Sequence, residues 1–151
     1  MKPMSSRMQP SGWVFVVCGL WLVALGVYFV FLRPALLPED RRYIGSSLEA
    51  MRTAVPGLER WLGHVFDVMG GFMVATGALT LLAAVNLRER GTLTAIVVTG
   101  VAGVGLMSTT NFLIDSNFRW PLLLPALVWL AGVLCYWQEG AASNKLTGEK
   151  R

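Results

Sequence analysis

Residues 13–32 read Trp13-VFVVCGLWLVALGVYFVF-Leu32, a run of 20 residues without a charged side chain. A helix rises about 1.5 Å per residue, so this run matches the roughly 30 Å hydrocarbon core of a bilayer. Three apolar stretches of similar length follow, at residues 65–87, 92–114 and 120–137. The sequence therefore predicts an all-α integral membrane protein, a four-helix bundle that occupies residues 13–137.

The composition agrees with this fold class. Apolar residues make up 54% of the 151 residues and charged residues only 15%. Soluble domains carry about a quarter of their residues as charges. Every charged residue except Asp67 lies outside the four apolar stretches. These numbers disfavour a water-exposed enzyme and make the lipid bilayer the expected surrounding.

The basic residues around the first stretch indicate its orientation. Lys2, Arg7 and the terminal amine precede it, whereas Arg33 alone follows it closely, so the positive-inside rule predicts both termini in the cytoplasm. We expect a retained anchor, because the run is long and carries no small-x-small cleavage motif before Arg33. Residues 1–12 then form a cytoplasmic segment and residues 138–151 a disordered cytoplasmic tail.

The formal net charge of +4 needs no nucleic-acid partner. Basic residues that flank apolar spans explain it, and the chain has no basic stripe with interleaved aromatic residues. Cys18, Cys135 and the single histidine, His64, do not have the spacing of a common zinc site. We therefore predict no metal, no cofactor, no catalytic residue and no nucleic-acid partner.

The loop between the first two stretches has the pattern of a folded segment. Ser46 and Glu49 have the spacing of a capping box. Apolar residues then recur at helical spacing: Leu48, Met51 and Val55. This predicts a short amphipathic helix over residues 47–55 in the first extramembrane loop, on the membrane surface or across the mouth of the bundle.

Small residues indicate where helices pack closely. Gly19 and Gly26 are seven residues apart and share one face of the first helix, where a neighbouring backbone can approach. The third stretch, residues 92–114, is rich in glycine, alanine and threonine, which predicts a central helix in contact with several neighbours. Pro125 is expected to bend the fourth helix.

Two groups of polar residues recur at helical spacing near the predicted outer face, one at the start of the second helix and one after the third. Together they predict one polar cluster, formed by Arg60, His64, Asp67, Asn111, Asp115 and Arg119. Ionisable groups in a membrane domain are costly, which favours a proton-responsive or substrate-binding pocket with His64 and Asp67 as the titrating pair. Alternatively, Asp67 pairs with Arg60 or Arg119 and only fixes the helix ends.

The second helix also carries a recognisable pattern, Arg60-Trp-Leu-x-His-Val-Phe-x-Val-Met-Gly-Gly-Phe-Met-x-Ala-Thr-Gly77. This pattern and the layout of the chain resemble small four-helix bacterial membrane proteins of the DoxX-like kind. The resemblance implies a compact four-helix bundle in the bacterial inner membrane and no assured activity.

Two functions follow as hypotheses. The first is a non-enzymatic accessory or interaction subunit of a membrane complex, with another membrane protein or a second copy of the chain as its partner. The alternative is a small transporter or redox-associated membrane protein with the polar cluster as an outward-facing site. Four helices are few for alternating access, so the alternative would require a homo-oligomer.

Overall fold

The computed structural model describes residues 8–89 and 91–148, without the side chains of residues 143–148. Most of the described residues are helical, with no strand among them. The helices are α1 Pro10–Phe31, α2 Asp40–Ile44, α3 Leu48–Ala54, α4 Leu58–Val85, α5 Thr92–Leu113 and α6 Arg119–Gly148. Four of them, α1, α4, α5 and α6, are long and apolar enough to cross a membrane.

The helix ends differ from the sequence prediction in three places. Pro10 begins α1 because proline suits the first turn of a helix. Ser47, one residue later than predicted, caps α3: its Oγ accepts from the Ala50 amide at 3.0 Å. The α6 helix runs to Gly148, so residues 138–148 are helical where the sequence predicts a disordered tail. Alanines in this segment favour the extension of a helix that has already formed.

Parts of the two predicted cytoplasmic segments, residues 1–7 and 149–151, lie outside the described residues.

Pro125 lies inside α6, which continues through it as one helix.

Glycines bring the backbones of α1 and α4 into direct contact. The facing pairs are Gly12 with Ala84, Gly19 with Gly77, and Gly26 with Gly70. A Cβ atom built on Gly26 would lie 2.6 Å from the Gly70 carbonyl oxygen, and one built on Gly77 would lie 2.7 Å from the Gly19 carbonyl oxygen. The seven-residue spacing on both helices keeps these residues on the shared seam of an antiparallel pair.

The most extensive helix contacts belong to α1, whereas the sequence predicts the third stretch to be central. The α1 helix packs against α4 on one side and against α6 on another, whereas α5 packs mainly on α6. Gly100 of α5 leaves room for Trp129 of α6, whose indole a Cβ atom would overlap. The Trp129 indole N–H also donates to the Ile96 carbonyl at 3.2 Å. Thus one small residue of α5 makes room for a large side chain of α6, while the buried Ile96 and Val104 of α5 pack in core clusters with the other long helices.

Side-chain hydrogen bonds join α6 to its neighbours. Pro125 has no N–H, so the Pro121 carbonyl lacks its usual donor within the helix. The Trp21 indole N–H of α1 donates to that carbonyl at 3.3 Å. From α5, the Ser108 hydroxyl donates to the Leu122 carbonyl at 2.7 Å. The proline therefore creates an acceptor that α1 uses.

A carboxylate of α6 caps the first turn of α1. The backbone amide and the hydroxyl of Ser11 donate to the two carboxylate oxygens of Glu139, at 2.9 and 2.7 Å. Ser11 is fully buried. Negative charge stabilises a helix N-terminus, where backbone amides lack partners within the helix. Glu139 thus fixes the start of α1 against α6.

The glycine seam predicts opposite effects of one substitution at two adjacent residues. Gly70→Ala places a methyl group 2.7 Å from the Gly26 carbonyl oxygen, whereas a Cβ on Gly71 meets nothing within 4 Å. We expect Gly70→Ala to lower the unfolding free energy by about 1–3 kcal/mol. Gly71→Ala should leave it unchanged or raise it by up to about 1 kcal/mol. Thermal unfolding of the detergent-solubilised protein measures both; an equal loss would contradict the seam.

Candidate ligand-binding cavity

A cavity of about 700 Å³ lies between α4 and α5, beneath the loop that connects α1 to α4. We call this end of the molecule the first-loop end. Most of the cavity wall is apolar or aromatic, and it includes Leu22, Phe29, Phe66, Met69, Met73 and Met107. Ligand pockets in proteins typically measure about 300–1,000 Å³ and combine such a wall with a few polar groups. The cavity therefore has the size and lining of a small-molecule site.

The packing of the long helices explains why the cavity exists. The glycine seam holds α4 against α1, and Trp129 and Ser108 hold α5 against α6. The α4 and α5 helices meet near their connecting loop, and the cavity separates them towards the first-loop end. Gly103 of α5 lies in the wall of this gap, and a Cβ atom built on it would meet only a methyl group of Thr76, at 3.9 Å.

The cavity opens on the side of the molecule. Residues at its rim are among the most exposed apolar residues: Phe72 of α4 is 71% exposed and Leu106 of α5 is 65% exposed. These residues lie on the outer faces of two helices that are apolar enough to cross a membrane. A molecule dissolved in the surrounding apolar phase could therefore enter between α4 and α5.

The first-loop end of the cavity is polar. Arg33, just after α1, lies with its guanidinium carbon 3.4 Å from the centroid of the Phe66 ring and 5.3 Å from that of Phe29. A guanidinium over an aromatic face is attracted by the ring electrons. Burial lowers the pKa of the Arg33 guanidinium from its usual value, and the charges of Asp40 and Glu39 oppose this shift. The charge is thus partly desolvated in the cavity wall.

Two carboxylates accompany this arginine. Asp40 accepts a hydrogen bond from the Leu37 amide at 2.7 Å, which fixes the turn into α2. Glu39 accepts one from the Asn117 amide group at 3.4 Å through Oε2. The other oxygen of Glu39, Oε1, is buried and has no hydrogen-bond partner among the described residues. The polar end of the cavity therefore combines one arginine with two carboxylates.

The first half of the predicted polar cluster lies elsewhere. Arg60, His64 and Asp67 are exposed on α4, and none of them lines the cavity. His64 Nδ1 lies 3.7 Å from Asp67 Oδ2, with the two side chains 75% and 53% exposed. The predicted stripe continues to Gly71, which is also exposed, whereas the adjacent Gly70 faces α1.

Of the other three residues of the predicted cluster, Asn111, Asp115 and Arg119, two form contacts at the turn between α5 and α6. Asp115 has a positive φ of 51° where α5 ends, and its carboxylate pairs with Arg119. Asn111 lines the cavity and donates to the Met107 carbonyl at 2.9 Å. Within the described part of the chain, no hydrogen bond or ion pair joins the α4 group to this one.

Sequence reasoning missed the residues at the polar end of the cavity. Arg33, Glu39 and Asp40 form no motif, and Arg33 has in the sequence only the place of a flanking charge. The available signal was their clustering directly after an apolar span. In the described ranges, no group of three His, Cys, Asp or Glu residues could hold a metal ion.

The chain matches no protein-family model, no curated protein and no solved structure. The likeness to DoxX-like proteins therefore stays a prediction.

The exposure of Asp67 predicts that its charge matters little for folding. We expect Asp67→Asn to change the unfolding free energy by less than about 0.5 kcal/mol, because its ion-pair partner among the described residues is His64 on the same helix, and pairs at this spacing contribute little. Glu139→Gln is the comparison, since it weakens the cap on Ser11 and should cost at least about 1 kcal/mol. Thermal unfolding of both variants tests this ranking, and a larger loss for Asp67→Asn would contradict the placement of the α4 group.

Proposed function

We propose that this protein is an integral membrane protein in which α1, α4, α5 and α6 cross the bilayer as a four-helix bundle. Four apolar helices support the proposal, as do the highly exposed apolar side chains along them. Flanking charge supports cytoplasmic termini, and the DoxX-like resemblance supports the bacterial inner membrane. In this setting α3, with Met51 buried and its polar residues exposed, is an amphipathic helix at the outer surface.

Within this membrane setting, the proposed function is the binding of an amphiphilic molecule, without a catalytic step. The observation that carries it is the cavity of about 700 Å³, which is apolar inside, open at the side and polar at the first-loop end. A lipid-soluble molecule would place its apolar part between α4 and α5 and its polar part near Arg33. The proposal retains the hypothesis of an outward-facing site. It assigns that site to the cavity instead of to the predicted polar cluster.

A second candidate function is that of an accessory or interaction subunit. The observation that favours it is the exposed pair of His64 and Asp67 on α4. Ionisable residues within membrane helices usually face a partner, a cavity or the protein interior. A second membrane protein or another copy of the chain that covers this face would give the pair such surroundings. The two functions are compatible, because an accessory subunit can present a bound molecule to its partner.

Adjacent substitutions on α5 test the binding function. Gly103→Phe adds a ring at a position in the cavity wall where a Cβ atom meets only Thr76. Ala102→Phe adds the same ring to the exposed neighbouring residue, which is outside the wall. We expect Gly103→Phe to reduce the co-purified amphiphile about tenfold or more, which corresponds to 1.4 kcal/mol of binding free energy. Ala102→Phe should keep it bound.

Native mass spectrometry of protein extracted gently from membranes measures this occupancy, and an absorption spectrum of the same sample detects a bound chromophore. Equal occupancy in the two variants, at equal thermal stability, would contradict binding in the cavity. Stoichiometric partner proteins in the same sample would support the accessory function. A homo-oligomer without other subunits would limit the partner to a second copy.

The orientation predicts which loops an impermeant reagent reaches in intact cells. In a chain with Cys18 and Cys135 replaced by alanine, Glu49→Cys in α3 should react with a membrane-impermeant maleimide. Arg88→Cys, between α4 and α5, should react only after the cells are lysed. Both positions are exposed in the structure, so accessibility within the fold does not bias the comparison. The reverse pattern would place the termini outside.

A further inference from the structure

A second cavity, a shallow depression of about 510 Å³ that is open to the surface, lies beside α2 at the first-loop end. In contrast to the first cavity, most of its lining residues are polar or charged, among them Arg41, Arg42, Ser46 and Ser47. Glu39 belongs to the walls of both cavities. An apolar cavity and a polar cavity thus adjoin at one residue, which is the arrangement that an amphiphile with one tail site and one headgroup site requires.

The charges around this junction favour a negatively charged headgroup. Three guanidinium groups, those of Arg33, Arg41 and Arg42, line the two cavities together with only two carboxylates, those of Glu39 and Asp40. The excess of positive charge lies in the polar cavity, which contains two of the arginines and only one of the carboxylates.

Neither arginine of the polar cavity forms an ion pair within the described part of the chain. Arg42 donates through Nη2 to the Asn117 side-chain oxygen at 3.3 Å, and Arg41 donates through Nε to the Pro38 carbonyl at 3.4 Å. Both bonds are long and go to neutral acceptors, so the guanidinium groups keep donors for a ligand. Guanidinium groups suit phosphate, to which they can donate two parallel hydrogen bonds.

We infer that the protein binds a glycerophospholipid, with its phosphate at Arg41 and Arg42 in the polar cavity and an acyl chain in the apolar cavity between α4 and α5. The inference rests on the proposed binding function and names its ligand class. The second acyl chain stays in the bilayer, which the side opening of the apolar cavity permits.

The test compares three probes on the purified full-length protein by native mass spectrometry titration. Phosphatidylglycerol offers phosphate, hydroxyl and acyl chains; diacylglycerol with the same chains lacks the phosphate; glycerol phosphate lacks the chains. We expect phosphatidylglycerol to bind the wild type most tightly and diacylglycerol more weakly. Glycerol phosphate at the same concentrations should not bind. Equal affinity for the first two lipids would overturn the assignment of the headgroup.

The variants separate the headgroup site from general surface charge. Arg41→Gln combined with Arg42→Gln should weaken phosphatidylglycerol binding about tenfold or more and leave diacylglycerol binding unchanged. Arg52→Gln is the matched control, because Arg52 is exposed in the same loop, pairs with Glu59 at 2.7 Å and lies outside both cavities. An equal loss in Arg52→Gln would overturn the inference in favour of non-specific attraction to anionic lipid.

Failure of the inference and failure of the proposed function give different results. If the double arginine variant binds phosphatidylglycerol like the wild type while Gly103→Phe does not, the headgroup assignment is overturned and the apolar cavity still binds a lipid chain. If Gly103→Phe binds every lipid like the wild type, the proposed function itself is overturned. The thermal stability of each variant is measured alongside, and only variants that unfold within a few degrees of the wild type are compared.

Discussion

The backbone contact between α1 and α4 is the constraint on which the rest of the structure depends. In a bilayer, apolar side chains gain nothing by leaving lipid for a neighbouring helix, so close packing must hold the helices together. The glycine pairs, with Gly26 against Gly70 at the first-loop end, allow that packing for one pair of helices. Since α4 is held by α1 and α5 is held by α6, the space between α4 and α5 remains open. The cavity is therefore a consequence of the seam.

The presence of four long helices could be predicted from charge alone, because only Asp67 interrupts the apolar stretches. The close face at Gly19 and Gly26 could be predicted as well, but its partner could not. Either of two adjacent glycines, Gly70 or Gly71, could have faced α1. Adjacent residues of a helix point about 100° apart, so the choice decides which face of α4 is exposed. The structure uses Gly70, which leaves Asp67 and the residues in line with it on the exposed side of α4.

The cavity itself has no sequence signature. Its walls come from three separate stretches of the chain, within residues 22–44, 62–76 and 103–118, and its size depends on how far α4 and α5 diverge, which no local pattern encodes. Of the predicted cluster, Asn111 alone lines the cavity. Asp115, which the sequence places in the cluster, has a positive φ at the end of α5, a conformation that aspartate tolerates better than most residues. Helical spacing shows which polar residues share a face of one helix, but it does not show what that face lies against.

The cap on α1 has a consequence for the order in which the chain assembles. Ser11 and Glu139 are 128 residues apart, so the first long helix receives its capping carboxylate from the last. Contacts between distant parts of a chain form late, because the whole intervening loop must first be closed. During synthesis, α1 and α4 can pair as soon as both have left the ribosome. The start of α1, in contrast, lacks the Glu139 carboxylate until α6 is complete. The contact between Glu139 of α6 and Ser11 of α1 therefore forms only after α6 has been synthesised.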